Sequence, residues 1–175
     1  MSSQSERGNR ERAAVAVDAL RQSGSLRLQV GGASMLPALW PGDTVEIARC
    51  SLADVHPGEI ILAYRDGRFF LHRFVARSGA SGFVARGDSM PNSDPDYPAS
   101  ALLGKVVQVV RSGHAASLSF RLRRFDRALG MLFCYCGPAR RVALGLHRRR
   151  LARGPDSGAL VGICPDLKSR FEEKV

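Results

Sequence analysis

The sequence predicts a mainly β protein: a compact antiparallel β domain over residues 25–112, preceded by a short helix and followed by a basic helical extension. Short β-prone runs alternate with turn residues, and an Asp-Gly pair joins two of these runs. Residues 1–111 contain 13 basic and 11 acidic residues, whereas residues 112–175 contain 13 basic and 5 acidic residues. The chain of 175 residues is long enough to bury one core.

The N-terminal segment, residues 1–24, contains a predicted amphipathic helix over residues 10–22. Ala13, Val17 and Leu20 recur at helical spacing and define its apolar face. A glycine follows, which is typical of a helix end.

The predicted strands show period-2 alternation or continuous β-prone runs. They cover residues 26–30, 44–48, 58–64, 69–76, 83–85 and 102–110. Between the third and fourth runs, Asp66-Gly67 is a strong hairpin signal. Six short strands with turns between them favour one antiparallel domain.

The basic extension is predicted over residues 113–153, where apolar residues interleave with arginines. Residues 118–153 hold ten arginines against Asp126 alone. One or two amphipathic helices, interrupted near Gly137-Pro138, fit this pattern. Three roles remain open for such helices: contact with an anionic membrane surface, docking of a partner, or packing on the β domain.

The C-terminal segment, residues 154–175, begins as a predicted linker. Within it, the apolar run at residues 160–163 fits an extra edge strand or a docking tail. No apolar run is long enough for a membrane span, and the polar N-terminus lacks the core of a signal peptide. We therefore expect a cytoplasmic protein, with peripheral contact at the inner face of the membrane as the alternative.

The four cysteines predict neither a disulfide framework nor a zinc site. In a chain without an export signal, reduced thiols are expected, and Cys134 and Cys136 are too close for the usual zinc pair. No metal or cofactor is predicted.

The first candidate functional residue is Ser34, which lies in a Gly- and Pro-rich segment after the first predicted strand. Gly32 gives the backbone freedom, whereas Pro37 and Pro41 fix φ and remove donors. These residues would present Ser34 on a stiff turn. The alternative is an ordinary Gly/Ser/Pro loop.

Two other polar features accompany the serine. His72 lies within an otherwise apolar strand, and Asp88 and Asp94 lie in a turn-forming loop directly after another strand. Alone, the histidine fits a hydrogen-bonded or surface residue and the loop fits a simple turn. Together with Ser34, these side chains are the parts of a nucleophile, a general base and an orienting carboxylate.

The motifs, in this order, resemble those of the type I signal peptidases and the self-cleaving repressor peptidases. They are Gly-x-Ser-Met-x-Pro-x-Leu-x-x-Gly-Asp at residues 32–43, Pro-Gly-Glu-Ile-Ile at 57–61, Leu-His-Arg-Phe-Val at 71–75, Gly-Asp with a later Asn and Asp at 87–94, and Leu-Gly-Lys-Val-Val at 103–107. The resemblance spans about residues 26–110, and the serine motif is its most specific part.

His72-Arg73 is similar to the histidine branch of this clan, the endoplasmic-reticulum and archaeal signal peptidases; the bacterial signal peptidases and the repressors carry lysine there. The resemblance implies Ser34 as nucleophile, His72 as base, and Asp94 as the orienting carboxylate with Asp88 in support. It also assigns substrate-binding and oxyanion roles to Gly32, Met35 and Pro37. Since Gly32 has no hydroxyl, the Ser34 amide is the expected oxyanion donor.

The predicted function is therefore a serine endopeptidase that cleaves a protein or precursor peptide. The alternative is an inactive or weakly active scaffold that binds an extended peptide or a protein partner. Contact of the basic helices with a membrane surface stays open as a further interaction. Nucleic-acid binding is not expected, since no helix-turn-helix precedes the domain as it does in the repressors.

Overall fold

In the computed structural model, which describes residues 2–79, 81–116 and 124–151, antiparallel strands form most of the fold. Helix α1 (Ser2–Ser23) comes first, and α2 (Arg124–Tyr135) and α3 (Gly137–Leu151) come last. The strands are β1 (Ser25–Gln29), β2 (Thr44–Arg49), β3 (Ile60–Arg65), β4 (Arg68–Ser78), β5 (Gly82–Arg86), β6 (Tyr97–Pro98), β7 (Leu102–Arg111) and β8 (His114–Ala116). Short 3₁₀ turns occupy Leu52–Asp54 and Ala99–Ala101.

The sheet order is β1-β2-β7-β3-β4-β5-β6, with β8 paired to β7, and every pairing is antiparallel. The predicted mainly β class with flanking helices is confirmed. Asp66 and Gly67 have φ values of 52° and 77°, so the Asp-Gly pair forms the tight β3–β4 hairpin turn.

Two strands were not predicted. Strand β6 has two residues and β8 has three, too few to display a period-2 pattern. Strand β8 lies inside the predicted helical extension, where Ser112 and Gly113, at φ 51° and 80°, turn the chain back onto β7. Helix α1 begins eight residues before its predicted start.

The core consists of two buried clusters. The larger joins α1, β1, β2, β3 and β7 to the turn that carries Ser34, through Leu20, Val30, Met35, Leu39, Val45, Ile47, Ile60, Leu62, Val106 and Val109. The second lies towards β5 and β6 and contains Val55, Ile61, Ala63, Phe74, Phe83, Ala85, Tyr97 and Ala101. Along β4, Phe69 and Leu71 pack against the first cluster and Phe70 against the second. This alternation puts His72 on the same face of the strand as Phe70.

The basic segment forms two helices that meet at Cys136, close to the predicted interruption. Within residues 2–79, 81–116 and 124–151, no helix is both long enough and apolar enough to cross a bilayer. The predicted linker and the apolar run at residues 160–163 lie outside the described residues.

Candidate active site

Ser34 lies in a loop whose two ends are joined and whose apolar side chains are buried. Val30 N donates to Asp43 O at 2.8 Å, and Gly42 N donates to Val30 O at 2.8 Å. Met35 and Leu36, directly after the serine, are fully buried. The turn is therefore fixed by the core, and Ser34 is held at its start.

A buried carboxylate connects this loop to strand β7. Asp43 Oδ1 accepts a hydrogen bond from Arg111 Nε at 2.9 Å, and Oδ2 accepts from Arg111 Nη2 at 2.7 Å and from the Trp40 amide at 2.8 Å. Sequence reasoning did not single out Arg111, because no local pattern relates it to an aspartate 68 positions earlier.

The loop after β5 holds Ser34 from the other side. Ser89 N donates to Ser34 O at 2.9 Å, and Ser89 Oγ donates to Ala33 O at 2.8 Å. A Cβ atom on Gly87 would lie 2.7 Å from Ser34 O, so only glycine allows the two loops to approach this closely.

His72 lies between Ser34 and Asp94. Its Nε2 is 3.1 Å from Ser34 Oγ, and its Nδ1 is 2.5 Å from Asp94 Oδ2. A carboxylate accepts hydrogen bonds, so Nδ1–H is donated to Asp94 and Nε2 is left to accept from the serine hydroxyl. The imidazole is 6% exposed, which limits competition from water for these contacts.

Asp94 is itself positioned by its backbone and by a tyrosine. Its amide donates to Ala85 O at 2.9 Å, and Tyr97 Oη donates to Asp94 Oδ2 at 3.1 Å. Burial, followed by the charge of Asp94, raises the pKa of Tyr97 to about 12. The phenol therefore keeps its proton at neutral pH and remains a donor.

The Tyr97 ring is fixed by packing. It stacks on Phe83 with centroids 5.1 Å apart, and the Arg65 guanidinium lies 4.4 Å above its centroid. Sequence reasoning missed this tyrosine, although its place three residues after Asp94, in a polar loop, is a usable signal.

Asp88 does not contact His72 in this arrangement. Its carboxylate forms a bidentate pair with Arg73, with Nε–Oδ1 at 2.8 Å and Nη2–Oδ2 at 2.7 Å. Arg73 Nη1 also donates to Gly58 O at 2.5 Å. The two aspartates therefore differ in role: Asp94 orients the imidazole, and the buried Asp88 pair joins its loop to β4.

A cleft of about 220 Å³ opens beside Ser34 and His72. Its lining is largely apolar and comes from the end of β1, the glycines before the serine, and β3 and β4: Leu28, Gln29, Val30, Gly31, Gly32, Met35, Leu62, Phe69, Phe70 and Leu71. β1 is an end strand of the sheet, which leaves its outer edge without a paired strand within the described chain.

The expected oxyanion residues divide between the cleft and the loop behind it. Gly32 is exposed in the cleft, Met35 is buried at its base, and Pro37 is half-buried away from it, after a cis peptide bond. The amides of Ser34 and Met35 donate to no other described residue.

The C-terminal helices pack on the loop that carries Ser34 and on the loop after β5 that carries Asp88. The edge of Phe133 meets the Trp40 ring, with centroids 6.4 Å apart, and His147 lies against the same ring at 4.8 Å. His147 Nε2 also donates to Pro41 O at 2.9 Å. In α2, Gly130 lies against Asp88, whose carbonyl oxygen would be 2.8 Å from an added Cβ.

No family model matches this sequence, and no curated protein matches it. Within the described residues, no group of three or more His, Cys, Asp or Glu side chains is arranged to hold a metal ion.

Proposed function

We propose that this protein is a serine endopeptidase in which Ser34 is the nucleophile, His72 the general base and Asp94 the orienting carboxylate. The observation that carries the proposal is the continuous contact from Ser34 Oγ to His72 Nε2 at 3.1 Å and from His72 Nδ1 to Asp94 Oδ2 at 2.5 Å. A serine, an imidazole and a carboxylate in this order are the arrangement that activates a hydroxyl for acyl transfer. The resemblance of the serine, histidine and aspartate motifs to the histidine branch of the signal peptidases supports the same assignment.

The chemistry follows from the two imidazole nitrogens. As Ser34 Oγ attacks the peptide carbonyl carbon, its proton passes to His72 Nε2, and Asp94 stabilises the imidazolium that forms. His72 then gives that proton to the leaving amine, the C–N bond breaks, and an acyl ester remains on Ser34. A water molecule, deprotonated by His72, hydrolyses the ester and restores the serine.

The oxyanion of each tetrahedral intermediate requires hydrogen-bond donors. We assign this role to the amides of Ser34 and Met35, which donate to no other described residue and border the cleft. Removal of one such donor typically costs about 2.7–4 kcal/mol of transition-state stabilisation.

The cleft supports an extended peptide as substrate. Its apolar lining can accept aliphatic side chains, and the outer edge of β1 offers backbone groups for strand addition. The same edge and cleft favour the second candidate, a scaffold that binds an extended peptide without cleaving it.

Cleavage of a peptide pool separates the two candidates. Mass spectrometry should detect new peptide termini with the wild type and no new termini with Ser34→Ala, whereas both proteins should retain bound peptides. Termini produced equally by both proteins would exclude Ser34 as the nucleophile. Peptide binding without cleavage by the wild type would support the scaffold.

A further inference from the structure

Helix α2 has two apolar faces, and only one of them is buried. Gly130 packs against the loop that carries Asp88, and Phe133 packs against Trp40 in the loop that carries Ser34. On the opposite side, Met131, Leu132 and Tyr135 are 54%, 47% and 79% exposed. Their i, i+1, i+4 spacing places them on one continuous stripe.

Helix α3 continues this combination and adds positive charge. Val142 and Leu146, one turn apart, are 63% and 54% exposed. Arg141, Arg148 and Arg149 are exposed beside them. The two helices, residues 124–151, contain seven arginines against Asp126 alone. We call α2 and α3 together the hairpin. Their exposed apolar side chains, with these three arginines, form what we call its outer face.

We propose that the outer face docks on the surface of an anionic lipid bilayer. Leucine, methionine and valine side chains can bury their apolar surface in the acyl region of the bilayer. Tyrosine is suited to the headgroup level, and arginines attract acidic headgroups. This combination of large exposed apolar side chains with exposed arginines distinguishes a bilayer from two other partners. A nucleic acid would use the arginines and leave the apolar stripe in water, and a second copy would bring like charges together.

Docking would place the proposed catalytic loops next to the lipid. The inner face of the hairpin contacts Trp40 and Asp88 directly, and a helix is only about 10–12 Å across. Lipid binding by the hairpin does not depend on whether Ser34 is a nucleophile.

The test is sedimentation of the full-length chain with vesicles of phosphatidylcholine, with and without phosphatidylserine. Binding should require phosphatidylserine and should weaken as salt is added, because salt screens the arginines. Equal binding to both kinds of vesicle, or no binding to either, would overturn the proposal.

The apolar contribution is tested with Met131→Gln, Leu132→Gln and Tyr135→Gln combined. We expect the affinity for the acidic vesicles to fall roughly tenfold or more. The matched control combines Val75→Thr and Val107→Thr, which alter exposed apolar side chains on the sheet and should leave the affinity unchanged. An equal loss in both variants would overturn the assignment to the hairpin.

The charge contribution is tested with Arg141→Gln and Arg148→Gln, which should each lower the affinity about fivefold. The controls with the same change in net charge, Arg27→Gln and Arg68→Gln tested singly, should each have a much smaller effect. The fluorescence of Trp40, the only tryptophan, reports whether the hairpin remains docked in every variant, because Phe133 and His147 contact its ring.

Two further outcomes identify the other partners and overturn the lipid assignment. In the first, a single-stranded oligonucleotide competes fully with the vesicles, and the apolar substitutions do not weaken its binding. This result would indicate a nucleic-acid surface. A dimer in solution that the apolar substitutions dissociate, with no vesicle binding, would indicate contact between copies.

Discussion

Tyr97 donates its hydroxyl hydrogen to Asp94 Oδ2, the same oxygen that lies 2.5 Å from His72 Nδ1. One carboxylate oxygen is thus held between a buried phenol and the imidazole. Since Tyr97 is fixed by stacking on Phe83, the position of Asp94 depends on the second core cluster as well as on its own loop. This dependence connects sheet packing to the orientation of the proposed base.

The pH dependence of stability should report the Tyr97 environment. Burial raises the pKa of Tyr97 from its ordinary value of 10.0 to about 12, so the folded protein holds the phenolic proton more tightly than the unfolded chain. The resulting contribution is fully present below pH 10.0 and is lost as pH rises to about 12. At about 1.4 kcal/mol per pKa unit, the loss is about 2–3 kcal/mol.

Denaturant unfolding across this pH range provides the measurement, with Tyr97→Phe as the control. The variant keeps the stacked ring and lacks the titrating group, so its free energy of unfolding should fall less than that of the wild type. Parallel decreases in the two proteins would contradict the raised pKa of Tyr97.

Asp94→Asn and Asp88→Asn should separate the roles of the two aspartates. The change at Asp94 removes the charge facing His72 and should slow acylation of Ser34 by roughly 10³- to 10⁴-fold, with a small loss of stability. The change at Asp88 removes the negative charge bound by the buried Arg73 and should cost about 3–5 kcal/mol of stability. Rates of acylation by a serine-reactive probe, together with unfolding curves, measure both effects. A stability loss at Asp94 larger than that at Asp88 would reverse the assignment.

Gly87→Ala should displace the nucleophile. The added Cβ would lie 2.7 Å from Ser34 O and 3.1 Å from Ser34 Cβ, so Ser34 or its own loop must shift. A displacement on this scale should slow acylation about 10- to 100-fold. Gly145→Ala, in open space on α3, is the matched control; it should leave the rate unchanged and raise stability by about 0.5–1 kcal/mol. Unchanged acylation in the Gly87 variant would contradict the close contact between the loops.

Six of the eight strands and the principal polar residues could be predicted because their signals are local. Alternating side chains, Asp66-Gly67 and the motif around Ser34 each occupy a short window. Arg111 was missed because its contact with Asp43 is one that only the fold creates, whereas Tyr97, three residues after Asp94, had a local signal that was not used. Packing of the basic helices on the β domain was one of the open interpretations, but the contact at Gly130 was not predicted, since a helical glycine carries no local sign of the loop that packs against it.

The preference for Asp94 over Asp88 came from a resemblance, and the geometry gives it a physical basis. Both carboxylates lie in one loop, and Arg73, directly after the histidine, forms a bidentate pair with Asp88. Sequence order alone does not determine which carboxylate faces which side chain, because adjacent residues on a strand point to opposite faces.

Formation of a covalent acyl-enzyme tests most directly whether Ser34 is the nucleophile. The wild type, Ser34→Ala and His72→Ala are incubated with a serine-reactive acylating probe, and the added mass is measured on the intact proteins and mapped to a peptide. We expect one acyl group on Ser34 in the wild type, none at that position in Ser34→Ala, and a rate at least about 10²-fold lower in His72→Ala. Equal labelling of the wild type and Ser34→Ala, or an unchanged rate without His72, would contradict this expectation.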